Sequence, residues 1–151
     1  MGELVGRRGA RLLVITVGAG LAVDGYVHLD VAGSYRLVRS AYVSQADLFR
    51  VEGVVAIAAG LALLARPGKI TALLAMLVGL AGVAAVLLYT CVDPGQIGPL
   101  PDMYEPVWYP EKLISFIGEA VAALAGGLLL GVLSARRASG AATTPRGPRA
   151  R

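Results

Sequence analysis

Apolar residues dominate four stretches of the chain, Leu12 to Leu29, Leu48 to Ala65, Ile70 to Val92 and Leu113 to Leu133, and most of the charge lies between and beyond them. Each stretch approaches the roughly 20 residues with which an α-helix crosses the hydrocarbon layer of a bilayer. None shows the period-two alternation of barrel strands, and in lipid only helices or closed barrels satisfy the backbone. The pattern predicts an all-α polytopic membrane protein, an up-down-up-down four-helix transmembrane bundle over residues 12–133. A basic segment, 1–11, precedes it. The basic tail that follows, 134–151, is rich in small residues with Pro and Gly, a composition that predicts disorder.

The connections refine these limits. Arg66-Pro67-Gly68-Lys69 is a short turn, so the second and third helices are expected to be antiparallel neighbours. The segment from Asp93 to Pro110 holds Pro94, Pro99, Pro101, Pro106 and Pro110, which predict a stiff, extended path. Tyr104, Trp108 and Tyr109 are expected to rest it on the lipid headgroups. Pro110 followed by Glu111 suits a helix start, since proline is tolerated in a first turn and an acid there complements the helix dipole. A competing parse reads Arg7, Arg8, Arg11, the first apolar run and Val31-Ala32-Gly33 as a cleaved secretory signal covering residues 1–33. Against it, the run extends through Tyr26, Val27 and Leu29 to spanning length.

Composition agrees with a membrane protein: 56% of the 151 residues are hydrophobic and only 16% charged, against about half and a quarter in soluble domains. The formal charge of +4 is not that of a nucleic-acid-binding protein, because no aromatic and basic stacking platform accompanies it. Arg7, Arg8 and Arg11, then Arg66 and Lys69, then Arg136, Arg137, Arg146, Arg149 and Arg151 fall on one side if every stretch spans. The positive-inside rule places both termini in the cytoplasm, and a bacterial plasma membrane is the expected location. The bilayer is the expected partner, with a membrane-protein subunit or a second copy of the chain as further candidates. Cys91 is the only cysteine, which excludes an internal disulfide and a cysteine-based metal site; a small buried apolar role is expected of it.

The candidate chemistry lies in polar residues within the apolar runs. Residues four apart share a helix face, and Thr16, Gly20, Asp24 and His28 form such a line in the first helix. Glu52, Ala56 and Gly60 do so in the second, and Ser115, Glu119, Ala123, Gly127 and Gly131 in the fourth. Small-xxx-small stripes of this kind let membrane helices approach closely, so the intramembrane carboxylates are expected to face protein. At 1.5 Å per residue, Asp24, Glu52 and Glu119 lie about 7 to 12 Å below the outer ends of their helices. Such groups are costly in a membrane unless paired, hydrated or neutralised.

Asp24, His28, Glu52 and Glu119 are therefore the candidate ligand- or ion-binding residues, with Arg50 as a charge partner across the bundle. A divalent cation, a proton relay or a cationic ligand would suit them; they match no named metal motif and no cofactor is predicted. A lone histidine excludes bis-histidine haem ligation within one chain. No nucleophile elbow, P-loop, zincin or dinucleotide fingerprint occurs, so no catalytic residue is assigned. The leading expectation is a non-catalytic accessory or structural subunit in which these groups join the helices. The alternative is a binding or transport protein for a cation or small ligand.

His28-Leu29 with Tyr35 beyond, Leu48-Phe49 opening the second helix, Glu105-Pro106 and Trp108 in the outer segment, and Glu119 in the fourth helix form a further pattern. It resembles that of small four-helix integral membrane proteins of actinobacteria with no assigned activity. The resemblance spans Leu12 to Leu133 and departs from the family where Val107 separates Pro106 from Trp108. It implies a four-helix membrane fold and supplies no mechanism.

Overall fold

The computed structural model describes the backbone of residues 2–142 and the side chains of residues 8–136. That span contains four helices, α1 (Gly2–Val31), α2 (Gln45–Ala65), α3 (Lys69–Cys91) and α4 (Pro110–Ala142), with a 3-10 turn, Ala32–Tyr35, after α1. Among the described residues there is no strand. All four helices are long and apolar enough to cross a membrane.

Local chemistry fixes the helix starts. Ser44 caps α2 by accepting from Asp47 N at 3.2 Å, while the Asp47 carboxylate accepts from Ser44 N at 3.3 Å. Each exchange satisfies a backbone donor that the first turn leaves free. Thr71 Oγ1 accepts from Gly68 N at 3.1 Å ahead of α3, and α4 opens with Pro110, where a missing N–H is harmless. Two helices outrun their apolar stretches. α1 begins at Gly2 and α4 continues past Leu133 to Ala142, because arginine and alanine sustain a helix without apolar surroundings. The first part of the tail expected to be disordered is thus helical, and residues 143–151 lie outside the described residues.

α1 packs along α2 on one side and α4 on the other, and α3 packs along α4. α2 and α3 are neighbours, as their short turn requires, yet theirs is the loosest of the four seams. The tight seams are built on glycine. A Cβ on Gly20 would stand 2.6 Å from Gly118 O, and one on Gly118 would stand 2.7 Å from Gly20 O. Gly25 and Gly53 are in the same reciprocal relation, at 2.8 and 2.9 Å. Backbone therefore meets backbone where α1 crosses α4 and α2, the packing mode that membrane helices favour. The expected stripes only partly coincide with these crossings. Thr16 is exposed, Gly131 faces open space, and Gly127 meets nothing nearer than Met76 Sδ at 3.7 Å.

The core between the helices is small-grained, with Val17, Leu21, Ala56, Leu63, Ala72, Ala75, Ala122 and Leu129 buried. Large apolar side chains such as Leu12, Leu61, Leu73, Leu124 and Leu128 point outward. Gly118→Ala should lower thermal stability in detergent by about 1–3 kcal/mol, the cost of forcing a methyl into a filled space. Gly131→Ala should be neutral or slightly stabilising, because alanine is the better helix former and nothing obstructs it. Equal effects of the two substitutions would contradict the glycine crossing.

Candidate functional site

α1 presents Asp24 and His28 one turn apart, and α4 presents Ser115 and Glu119 with the same spacing, so four polar groups meet where the two helices cross. Asp24 and Glu119 are completely buried, Ser115 is buried, and the His28 side chain is 12% exposed. The Ser115 hydroxyl donates to Asp24 Oδ1 at 2.6 Å and lies 3.3 Å from His28 Nδ1 and 3.4 Å from Glu119 Oε1. His28 Nδ1 stands 2.9 Å from Asp24 Oδ1 and 3.2 Å from the Asp24 carbonyl oxygen. Phe49 meets the imidazole edge-on, with centroids 5.0 Å apart, and holds its plane.

A serine, a histidine and an aspartate in contact invite comparison with a catalytic relay, but the geometry is wrong for one. Ser115 and Asp24 both address Nδ1, whereas a relay passes the proton through the two different ring nitrogens. α3 contributes space: a Cβ on Gly82 would lie 2.5 Å from the Glu119 carboxyl group, so glycine is required for that side chain to fit.

The cluster lacks a complete set of partners. Asp24 Oδ2, Glu119 Oε2 and Glu52 Oε1 are buried and receive no hydroxyl or N–H donor, while the Asp24 and Glu119 carboxyl groups lie within hydrogen-bonding reach of each other. An unsatisfied buried acceptor costs about 1–3 kcal/mol, more when charged. Beside them lies a cavity of about 270 Å³ whose lining residues include His28, Ser115, Glu119 and Glu52. Leu48, Phe49, Val86, Tyr89 and Met103 make much of the rest of its wall apolar.

The proline-rich connection closes over this cavity. Ser40 donates to Pro99 O at 2.6 Å, Glu105 N donates to Tyr89 O at 2.9 Å, and the Tyr35 and Tyr109 hydroxyls are 2.5 Å apart. The Lys112 ammonium donates to the carbonyls of Glu105 and Val107. Tyr109, expected on the headgroup layer, is instead half-buried and lines the cavity, because its hydroxyl finds a partner in Tyr35. Trp108 stays exposed at 44%, edge-on to Phe116.

Of the residues singled out in the sequence, Asp24, His28 and Glu119 come together, with ligand atoms within 4.8 Å of one another. Glu52 faces the same cavity but lies outside that trio. Arg50 does not reach the site. It pairs with Asp47 at 2.9 Å, one turn earlier on the exposed face of its own helix, where both charges keep their hydration. Cys91, expected to be buried, is exposed at the end of α3. Sequence reasoning missed Ser115 as the centre of the cluster, although its position one turn before Glu119 marked it. Gly82, Tyr35 and Tyr109 carried no comparable signal. Comparison of the chain with protein-family models, with curated proteins and with solved structures finds no match.

Burial, and after it the hydrogen bond to Tyr35, pushes the Tyr109 phenol well above its ordinary range. A raised folded value means that its contribution to stability is intact below pH of about 10 and is lost as pH rises through the higher value. Ultraviolet titration of wild type against Tyr109→Phe should therefore assign Tyr109 a late tyrosinate signal. A signal at the ordinary tyrosine value would contradict the buried contact.

Proposed function

We propose that the protein is a multi-pass protein of a bacterial plasma membrane, spanning it up-down-up-down with both termini in the cytoplasm. It binds a cation or a cationic small ligand in a recess within the outer leaflet. Large apolar side chains on the outside of the bundle and small ones within support insertion in lipid. The basic segments at one end of the helices and the acidic connection from Asp93 to Pro110 at the other support the orientation. Asp24 packs at the centre of the bundle from α1, which favours retention of that helix over its removal with a cleaved signal.

The observation that carries the binding reading is the set of unpartnered oxygens on Asp24, Glu119 and Glu52 beside a largely apolar cavity. Carboxylates that serve only to join helices are satisfied from both sides. Here each of the three keeps an oxygen with no hydroxyl or N–H donor, and Lys112, the other basic residue of the wall besides His28, has its ammonium engaged with loop carbonyls. Beyond His28, which stands 2.9 Å from Asp24, further complementary charge comes from outside the chain. This supports a binding protein over an accessory subunit held together by polar contacts.

Two experiments test the reading. Compartment-specific reporters fused at Gln96 and at Arg136 should report opposite sides of the membrane; the same side for both would sink the topology. Glu119→Gln removes the capacity for a second negative charge beside Asp24 and supplies two N–H donors, so in chelator and low salt it should raise thermal stability, by about 1–3 kcal/mol. The same substitution should blunt any stabilisation of the wild type by Na⁺, Mg²⁺, Mn²⁺, Zn²⁺ or methylammonium. Unchanged or lower stability, with no response of the wild type to any of these cations, would return the carboxylates to a structural role.

A further inference from the structure

We infer that Asp24, His28 and Glu119 form a three-ligand site for a divalent transition-metal ion, with its open coordination positions turned toward the cavity. The inference rests on the cationic-recess reading and specifies its ligand class. At a metal–ligand distance of about 2.1 Å, two ligand atoms on one ion stand at most about 4.2 Å apart. The three side chains already bring one ligand atom each within 4.8 Å of the others, so small side-chain adjustments close the set.

A second observation points to the same occupant. Asp24 and Glu119 are both fully buried, and each keeps one oxygen, Oδ2 and Oε2, that receives no hydroxyl or N–H donor. Two carboxylates and a neutral imidazole bring a charge of −2, which a divalent ion cancels. A monovalent ion would leave net charge in an apolar setting, where charge is expensive. The imidazole and the small number of oxygens disfavour Ca²⁺, which takes six to eight oxygen ligands, and suit Mn²⁺, Fe²⁺, Co²⁺ or Zn²⁺.

The surroundings fit a metal centre in two further respects. Ser115 holds Asp24 Oδ1 at 2.6 Å, the outer-shell hydrogen bond that orients a ligating carboxylate. His28 and Glu119 line the cavity while Asp24 stands behind them, so the remaining positions on the ion would open to the cavity side, which Glu52 also lines. His28 Nδ1 stands 2.9 Å from Asp24 Oδ1. A metal ion takes only the deprotonated forms of its ligands, so binding would compete with protons and weaken as pH is lowered.

The test uses the full chain in detergent, stripped with chelator and titrated with Zn²⁺, Mn²⁺ and Co²⁺, by calorimetry and by the visible absorption of protein-bound Co²⁺. One ion should bind per chain, with affinity falling as pH is lowered. His28→Gln and Glu119→Gln should each abolish the Co²⁺ spectrum, Ser115→Ala should weaken binding about 10-fold or more, and Glu52→Gln should leave the stoichiometry unchanged. Circular dichroism and size-exclusion profiles identify any variant that fails to fold, and Ser115→Ala, the mildest change, then carries the comparison. Uptake that persists undiminished in folded His28→Gln or Glu119→Gln would overturn the assignment. If no transition metal binds but Na⁺ or methylammonium stabilises the wild type in a Glu119-dependent manner, the metal inference fails and the cationic recess stands. If no cation of any kind binds, both fail.

Discussion

Backbone contact at glycine is the constraint from which the rest of this structure follows. Where Gly20 of α1 meets Gly118 of α4, neither residue has room for a Cβ. One turn beyond Gly20 is Asp24, and one turn before Gly118 is Ser115. A crossing this close leaves these two side chains no choice but to meet, and they do so at 2.6 Å. The second crossing, Gly25 against Gly53, draws α2 onto the other side of α1 and brings Phe49 edge-on to His28. Larger residues at either crossing would move the helices apart by ångströms, and the polar cluster would cease to exist as a unit.

Burial of the carboxylates is then a consequence with an energetic sign. Ser115 has one proton, and three neighbours lie within reach of its oxygen. The proton goes to Asp24 Oδ1, the nearest acceptor, and full satisfaction of Glu119 must come from elsewhere. Gly82 leaves room for the arrangement, because alanine at that position would meet the Glu119 carboxyl at 2.5 Å and oblige it to shift. A chain under selection only for stability would fill this space with methyl groups. Two carboxyl groups are held there instead, each with an oxygen that receives no hydroxyl or N–H donor.

The helices were legible because hydropathy over some 20 residues is a strong signal and lipid permits few alternatives. Asp24, His28 and Glu119 were legible as well, since i, i+4 spacing with small residues marks an inward face before any contact is known. Partner choice was not legible. Nothing in the spacing told whether Arg50 would reach across the bundle or back along its own helix to Asp47, and the exposed face won because it leaves both ions hydrated. Glycine register was ambiguous for a different reason. With 20 glycines in the chain, several small-xxx-small stripes compete, and Gly118 prevails over Gly127 and Gly131 only once the neighbouring helix is in place.

The outer connection shows the same limit at longer range. Its prolines predict extension, and extension is compatible with lying on lipid or with folding inward. What decides is a set of contacts between residues far apart in sequence: Ser40 with Pro99, Tyr35 with Tyr109, and Glu105 with the end of α3 at Tyr89. Together they draw the connection over the cavity, while the α2–α3 seam, loosest of the four, supplies Phe49, Glu52, Gly82 and Val86 to its wall. The enclosure is therefore unequal. One side is fixed by glycine crossings, and the other is a hydrogen-bonded loop beside a loosely packed seam. On the binding reading, the carboxylates belong to the fixed side and the loop and loosely packed seam to the other, so an ion that enters past loop and seam leaves the ligand geometry undisturbed.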